Sequence, residues 1–183
     1  PACSINDPGE NGVIILELSS YQLDGAKNLS LDMATIINIT PDHLDYHENF
    51  VRYITSKLKI INFLRNNGIF IFDKSNKLLD KIIDTDNHKS LKLIRIHKKE
   101  STDFINDNDH LKGTHNAINA SIAISIAKKL NINDNKIELA IRRFKGLSHR
   151  MEQIYISKDL EIINESGSWF SYEDTKLGQG RDA

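Results

Sequence analysis

Three side chains of complementary chemistry follow one another along this sequence: the carboxylate of Glu17, the imidazole of His43 and the amine of Lys57. Lys57 lies within the apolar stripe of a predicted helix over residues 48–64, where an unpaired ammonium is costly to bury. Such an amine either finds a partner or loses its proton, and a neutral amine can capture carbon dioxide as a carbamate. A carboxylate, an imidazole and a carbamate would together suit Mg²⁺ or Mn²⁺. The alternative is a lysine whose stem packs inside while its ammonium reaches water.

The elements that must position these residues alternate between strands and helices, which predicts an α/β fold with a mostly parallel sheet flanked by helices. Apolar runs predict strands at residues 13–18, 33–39, 69–72 and 91–96, and helical spacing predicts helices at 48–64, 78–83, 115–130 and 134–144. Ligands of open α/β sheets collect beyond the carboxyl ends of the strands. Glu17 lies near the end of the first predicted strand and His43 follows the second, so both could reach one point together with Lys57.

Each of these residues also has an ordinary interpretation. Glu17 could be a strand-end acid in solvent, and His43 could be a turn residue that caps the following segment. The sequence does not by itself decide between these readings and the metal site.

Two further clusters carry side chains suited to nucleotides. Asn116 and Asn119 are three residues apart, so their amides share one face of a helix that Thr114 is predicted to cap. They could bracket a purine or a phosphate at a helix N-terminus, which favours anions. Arg150 follows the glycine turn at Gly146 and could clamp a phosphate. Helix capping and a surface ion pair would explain the same residues without a ligand.

Composition limits the classes of protein that the chain can represent. Its 24 Lys and Arg residues balance 25 Asp and Glu residues, so the net charge of −1 creates no field directed at nucleic acid or an anionic membrane. The single cysteine, Cys3, excludes an intramolecular disulfide and fits a reducing compartment. No apolar run approaches the ~20 residues of a membrane span, so we expect a soluble cytoplasmic protein.

Five motifs, taken in order, resemble the Mur ligases of peptidoglycan synthesis. They are ELSSYQL (Glu17–Leu23), TPDHLDYH (Thr40–His47), SKLKI (Ser56–Ile60), GTHNAINA (Gly113–Ala120) and GLSHRME (Gly146–Glu152). The first motif is similar to the branch of the family that adds D-glutamate, and the resemblance covers residues 12–164. It implies an incomplete central ATP-binding domain, and the residue pattern predicts a short C-terminal β-hairpin with strands at 153–156 and 160–163.

The resemblance also implies a reaction and its residues. The family uses ATP and Mg²⁺ to phosphorylate a carboxylate, here that of UDP-N-acetylmuramoyl-L-alanine, and the amine of D-glutamate attacks the acyl phosphate. Carried over to this sequence, the resemblance implies catalytic roles for Lys57, His43 and Asp42. It implies that Glu17, His43 and a carbamylated Lys57 hold the metal ion. The implied ATP contacts are His115, Asn116, Asn119 and Arg150.

The chain also departs from the family pattern. A Gly-rich phosphate loop ending in Gly-Lys-Ser/Thr has no match here, and after Asn164 the family's N-D-S-K run is replaced by E-S-G-S-W. We expect residues 1–150 to form a partial central domain, residues 151–166 to begin the C-terminal domain, and residues 167–183 to form a divergent tail with little order. Such a piece, cut at both ends, would be inactive alone, and complementary fragments of the same enzyme could be its partners.

Two other kinds of protein are consistent with parts of the sequence. One is a non-catalytic remnant that binds nucleotide or metal weakly at most. The other is an unrelated metal-dependent hydrolase built on Asp42, His43, Asp45 and His47, which would leave Asn116, Asn119 and Arg150 unexplained.

Overall fold

A computed structural model describes residues 8–10, 12–85, 90–97, 105, 108–146, 150–155, 163–166, 169–172 and 175–179. The chain divides into two compact units, Pro1–Arg95 and Ile96–Ala183, and each is described by itself. Within the described ranges, no helix has the length and apolar character needed to cross a membrane.

The first unit alternates helices and strands around a three-stranded sheet. Its elements are α1 (Ser20–Gly25), β1 (Leu31–Ile36), α2 (Leu44–His47), α3 (Phe50–Asn62), β2 (Leu64–Asp73), α4 (Lys77–Thr85) and β3 (Lys92–Ile96). β1 and β2 pair in parallel, and the strand order is β1-β2-β3. The predicted α/β class, with a parallel sheet flanked by helices, is confirmed.

The core of this unit forms around the central strand. Phe70, Ile71 and Phe72 of β2 have no exposed surface, as expected for a strand covered on both faces. Leu79 and Ile83, one turn apart on α4, are buried in the same cluster as the two phenylalanines. Apolar residues of β1 and α3 belong to that cluster too, so the core fixes β1, whose following loop leads to His43, relative to α3, which carries Lys57.

The prediction of a first strand at residues 13–18 is wrong in this structure. Residues 12–19 belong to no helix or strand, and Val13, Ile14 and Ile15 are at least half exposed, Ile15 by 85%. β1 has β2 on one side, and no strand of the described ranges pairs with its other side. An apolar run becomes a strand only when a neighbouring strand satisfies its backbone, so this run stays outside the sheet.

Helix α1, which follows this run, has no counterpart among the predicted elements. Its N-cap is Ser19, whose side chain accepts a hydrogen bond from the backbone N–H of Gln22, while the Gln22 side chain accepts one from the N–H of Ser19. This reciprocal pair is a capping box, and the Ser-x-x-Gln spacing is a local signal from which the helix could have been predicted.

The second unit begins with two helices, α5 (Thr114–Lys129) and α6 (Asp134–Arg143), preceded by a 3₁₀ turn at Asp109–Leu111. Both helices agree with the predicted ranges, but their caps differ. Gly113 is the N-cap of α5, so Thr114 is already helical. The side chain of Asn133 caps α6, since a residue with extended backbone one position before Asp134 can reach the N–H of Asn135.

Four strands complete the second unit: β4 (Arg150–Tyr155), β5 (Ile163–Ser166), β6 (Trp169–Tyr172) and β7 (Thr175–Gln179). Each pairs antiparallel with the next, and β4 with β5 occupies the region of the predicted hairpin. β6 and β7 lie in the segment for which the sequence predicts little order. Aromatic residues favour strands, and in W-F-S-Y this preference prevails over the neighbouring glycines. The predicted boundaries at residues 150 and 166 stay predictions.

Candidate functional site

Lys57 reaches the loop that follows the carboxyl end of β1. Its Nζ lies 3.0 Å from the backbone carbonyl oxygen of Asn38 and 3.4 Å from Oδ1 of the same residue. The Nζ also lies 5.0 Å from the ring centroid of Tyr53, one turn earlier on α3. An ammonium that donates to two oxygens and faces an aromatic ring is a paired cation. The sequence left two possibilities for this half-buried amine, pairing with a partner or loss of its proton, and in the structure the amine has partners.

His43 lies on the same loop, immediately before α2. Its backbone is left-handed, with φ 51° and ψ 37°, a conformation uncommon for residues other than glycine. Its N–H donates to Oδ1 of Asp42 over 2.9 Å, and its Nε2 lies 3.6 Å from the other carboxylate oxygen of Asp42. The imidazole is 49% exposed and lies 5.0 Å from the ring of Tyr21. A half-exposed imidazole beside an exposed carboxylate is accessible to a ligand from solvent.

All three residues are described by the structure, and Glu17 forms no hydrogen bond or ion pair with either of the other two. It is exposed within residues 12–19, and no hydrogen bond or ion pair joins its carboxylate to another residue in the described ranges. Those ranges also hold no group of three or more His, Cys, Asp or Glu residues arranged for a metal ion. Lys57 thus reaches the loop that carries His43, whereas Glu17 lies on the segment outside the sheet. Its carboxylate is an oxygen ligand of the kind that Mg²⁺ prefers.

A buried hydrogen bond joins the two motifs that carry Glu17 and His43. Nε2 of His47 lies 2.9 Å from Oγ of Ser20, and both residues are only 3% exposed. The sequence suggested His47 only as a ligand of a hydrolase site. Its burial and the bond of its Nε2 to Ser20 leave the hydrolase interpretation without one of its four donors.

A second link fastens α1 to α3. Nζ of Lys59 lies 2.6 Å from Oδ1 of Asp24, which also accepts a hydrogen bond from Oγ of Ser56 over 3.2 Å. The hydrogen bond from Lys59 holds the pKa of Asp24 below its usual value, with Ser56 acting in the same direction. A cavity of about 450 Å³ opens here, but its cations already face carboxylates, Lys59 that of Asp24 and Arg52 that of Glu48.

The residues predicted to contact ATP belong to the second unit. His115 and Asn119 are exposed on α5, and Asn116 is half-buried with its Nδ2 donating to the carbonyl oxygen of Lys112 over 3.0 Å. The N-cap Gly113, at φ 97°, offers the helix no side-chain hydrogen bond. By contrast, side chains cap the N-termini of α1, α3 and α6. The start of α5 therefore suits an anion.

Arg150 begins β4, and its side chain lies outside the described part of the structure. Sequence reasoning missed Asn108, a polar residue that is only 4% exposed. Its Nδ2 donates to the carbonyl oxygens of Ile141 and Phe144 over 2.7 and 2.8 Å. These bonds hold the end of α6, just before Gly146.

Comparison with known proteins decides the family. The family model described as the Mur ligase middle domain matches residues 5–127, more than half of the chain. The chain belongs to the Mur ligase family. This match contains all four residues proposed for catalysis or metal binding, and also the Asn116 and Asn119 pair of α5.

Two curated relatives of this Mur ligase domain carry the same name. The UDP-N-acetylmuramoylalanine--D-glutamate ligase of Sphingopyxis alaskensis is 34% identical over 162 residues, which cover 86% of this chain and 36% of the relative. The ligase of the same name from Rickettsia bellii is 34% identical over 176 residues, which cover 85% of this chain and 39% of the relative. The chain thus spans little more than a third of the length of these relatives.

A solved structure supports the fold. MurF from Acinetobacter baumannii superposes with a TM-score of 0.56 at 16% identity, covering 75% of this chain and 34% of that one. At this identity the likeness is evidence for the fold alone.

Residues 153–183 match a different family model, the RecA C-terminal domain. This range includes β5, β6 and β7 and the end of β4. The match begins at residue 153, within the range 151–166 in which the sequence predicts the C-terminal domain to begin.

Proposed function

We propose that this Mur ligase domain supplies ATP- and metal-binding residues to a ligase that adds D-glutamate to UDP-N-acetylmuramoyl-L-alanine through an acyl phosphate. The names of the relatives support this reaction. The structural observation that carries the proposal is the 3.0 Å contact of Lys57 Nζ with the carbonyl oxygen of Asn38. This contact brings the amine to the carboxyl end of β1, the edge at which open α/β sheets bind their ligands.

In this proposal Glu17, His43 and a carbamate on Lys57 hold Mg²⁺. Carbamylation would replace a cation that donates to Asn38 by an anion with two oxygen ligands, and carboxylate and imidazole are donors that Mg²⁺ and Mn²⁺ accept. A bound Mg²⁺ supplies charge neutralisation to the phosphoryl group. His43 and Lys57 would thereby act in catalysis, and Asp42, exposed beside His43, would lie near the incoming D-glutamate.

The ATP contacts proposed in the second unit are His115, Asn116, Asn119 and Arg150. The amides of Asn116 and Asn119 share a face of α5, and the glycine N-cap leaves the first turn of this helix without a capping side chain. A guanidinium such as that of Arg150 binds phosphate oxygens in pairs. The use of ATP and a nucleotide-linked sugar is consistent with a cytoplasmic protein. The balanced charge gives no reason to expect a nucleic-acid partner.

We further propose that these 183 residues do not ligate by themselves. They include no Gly-rich loop ending in Gly-Lys-Ser/Thr, so they lack the backbone cradle and the lysine for the β- and γ-phosphates. Complementary parts of the enzyme would have to supply them. The second candidate function is a non-catalytic remnant that binds nucleotide or metal weakly at most, which the exposed position of Glu17 on a segment outside the sheet favours.

Titration calorimetry of the chain with ATP and Mg²⁺ tests the proposed nucleotide contacts. We expect Asn116→Ala with Asn119→Ala to weaken ATP binding about tenfold or more, the loss of roughly 1.4 kcal/mol. Asn135→Ala, an exposed asparagine on α6, is the matched control and should bind as the parent does. Equal ATP affinity in the double variant and the control would contradict the proposed contacts, and absence of ATP binding in the parent would favour the remnant.

Phosphate release with ATP, D-glutamate and UDP-N-acetylmuramoyl-L-alanine tests the proposed inactivity of the isolated chain. We expect no release above that of a control without protein. A robust rate that depends on both substrates would show that the chain is a ligase without further parts.

A further inference from the structure

The three proposed metal ligands have one feature in common: each lies three or four residues along the chain from a residue in a continuous set of buried contacts. The pairs, three or four residues apart, are Glu17 with Ser20, His43 with His47, and Lys57 with Tyr53. Ser20, His47 and Tyr53 are each only 3% exposed. They come from three different motifs of the sequence and meet in the interior of the first unit.

His47 is the centre of this set. Its Nε2 lies 2.9 Å from Oγ of Ser20, across 27 residues of sequence. On its other side its ring lies 5.5 Å from that of Tyr53, at an interplanar angle of 70°. Tyr53 in turn lies 5.0 Å beneath Nζ of Lys57. The imidazole therefore joins the segment that follows Glu17 to the helix that carries Lys57.

His47 also fixes the third proposed ligand through the backbone. Its N–H donates to the carbonyl oxygen of His43 over 3.1 Å and closes the single turn of α2. This bond helps to hold His43 in its left-handed conformation, in which the half-exposed ring lies against Tyr21. Tyr21 also contacts His47, with ring centroids 5.5 Å apart. Displacement of His47 would thus disturb the backbone and the ring environment of His43 together.

We propose that His47 is a positioning residue of the magnesium site: without touching the ion, it holds the segment that follows Glu17, the backbone of His43 and the helix that carries Lys57 in place. The role rests on the proposed function. A buried imidazole with a hydrogen-bonded Nε2 is not available as a ligand, and loss of an interaction that orients metal ligands typically weakens metal binding 10- to 100-fold. A substitution at His47 can remove the hydrogen bond to Ser20 and still keep an aromatic ring packed against Tyr21 and Tyr53.

Binding of Mn²⁺ to the whole chain, measured by electron paramagnetic resonance in bicarbonate buffer, tests this role. His47→Phe retains an aromatic ring against Tyr21 and Tyr53 but cannot bond to Ser20, and we expect Mn²⁺ binding to weaken about tenfold. Ser20→Ala should have the same effect. His47→Gln carries an amide that can reach Ser20 Oγ, and it should restore most of the affinity.

Ser56→Ala is the matched control. Ser56 is 4% exposed and also donates a hydrogen bond, to Asp24, but it lies outside the set centred on His47. It should lower the melting temperature as the Ser20→Ala variant does while leaving the Mn²⁺ affinity unchanged. Equal Mn²⁺ affinity in His47→Phe and the parent would overturn the positioning role. A parent that binds no Mn²⁺, or Glu17→Gln that binds as tightly as the parent, would instead overturn the magnesium site of the proposed function.

Amide hydrogen exchange of the metal-free chain supplies a second readout. In His47→Phe, we expect exchange to accelerate both at residues 20–25 and at residues 44–47, whereas Ser56→Ala should leave residues 44–47 protected. Unchanged exchange at both segments in His47→Phe would show that this hydrogen bond does not hold them, and would overturn the role independently of any metal.

Discussion

Lys59 holds Asp24 by its backbone and its side chain at once, because Nζ lies 2.9 Å from the carbonyl oxygen of Asp24 and 2.6 Å from Oδ1. Asp24 lies in the last turn of α1, where a cation also interacts favourably with the carbonyl end of the helix. A helix of only six residues has little stability of its own, so this attachment to α3 helps to keep α1 formed.

Acid should weaken this attachment. The hydrogen bond from Lys59 lowers the pKa of Asp24 below its ordinary value of 3.8, so the stabilisation is complete above that value and is lost as the pH falls through the lower folded value. We expect Asp24→Asn to reduce the fall in melting temperature between about pH 4 and pH 3. Lys59→Met should do the same because it removes the cause of the shift. An unchanged pH dependence in both variants would contradict this account.

The N-terminus of α5 depends on a glycine. Gly113 has φ 97° and ψ 156°, a region that side chains other than hydrogen rarely adopt. We expect Gly113→Ala to lower the free energy of unfolding by about 1–3 kcal/mol, measured by urea denaturation. Gly25→Ala is the control, since its added Cβ also meets no atom within 4 Å but its φ is not positive. A loss of stability of the same size in both variants would argue against backbone strain.

Truncation of a buried side chain on the central strand β2 should destabilise the protein strongly. Phe72 is fully buried, its ring stacks on Phe70 at 5.5 Å, and the guanidinium of Arg95 lies 5.3 Å from the ring. We expect Phe72→Ala to lower the free energy of unfolding by about 3–5 kcal/mol in urea denaturation. Val51→Ala, at a side chain that is 71% exposed, should change it by less than about 0.5 kcal/mol. Similar values for the two variants would mean that β2 is not the core.

The exposed apolar run should bind hydrophobic dyes. Val13, Ile14, Ile15 and Leu16 form consecutive exposed surface, and such surface is unusual on a monomeric protein. We expect Ile15→Gln to lower the fluorescence of bound anilinonaphthalene sulfonate without lowering the melting temperature. Ile132→Gln, at an isolated isoleucine that is 41% exposed, is the control and should leave the dye signal as it is. Weak dye binding by the parent would show that the run is covered in solution.

Much of the first unit could be predicted because its signals are local. The run Ile69–Phe72 is apolar throughout and became part of the buried strand β2, and the stripe that contains Lys57 became α3. The run at residues 13–18 gave an equally clear strand signal, yet strand formation depends on a neighbour that the run itself does not encode. Apolar pattern therefore predicted which segments could be strands, and pairing decided which of them were.

The candidate site was predictable in its residue types and less so in its contacts. The sequence indicated that the Lys57 amine needs a partner, but the choice of Asn38 depends on the path of the loop after β1. The motif Asp-His-Leu-Asp-Tyr-His offers two histidines of equal chemistry, and only packing against Ser20 and Tyr53 distinguishes the buried His47 from the half-exposed His43. Such differences come from tertiary structure, which residue spacing does not describe.

The two sheets of this chain differ in how far apart along the sequence their partners lie. β4 to β7 pair in chain order, each strand with the next, so only short loops have to close and the entropic cost of closing them is small. β1 and β2 are separated in sequence by α2 and α3, so their pairing has to close a longer loop and is expected to form more slowly. In refolding from urea, the antiparallel meander should acquire its strands well before the parallel pair does.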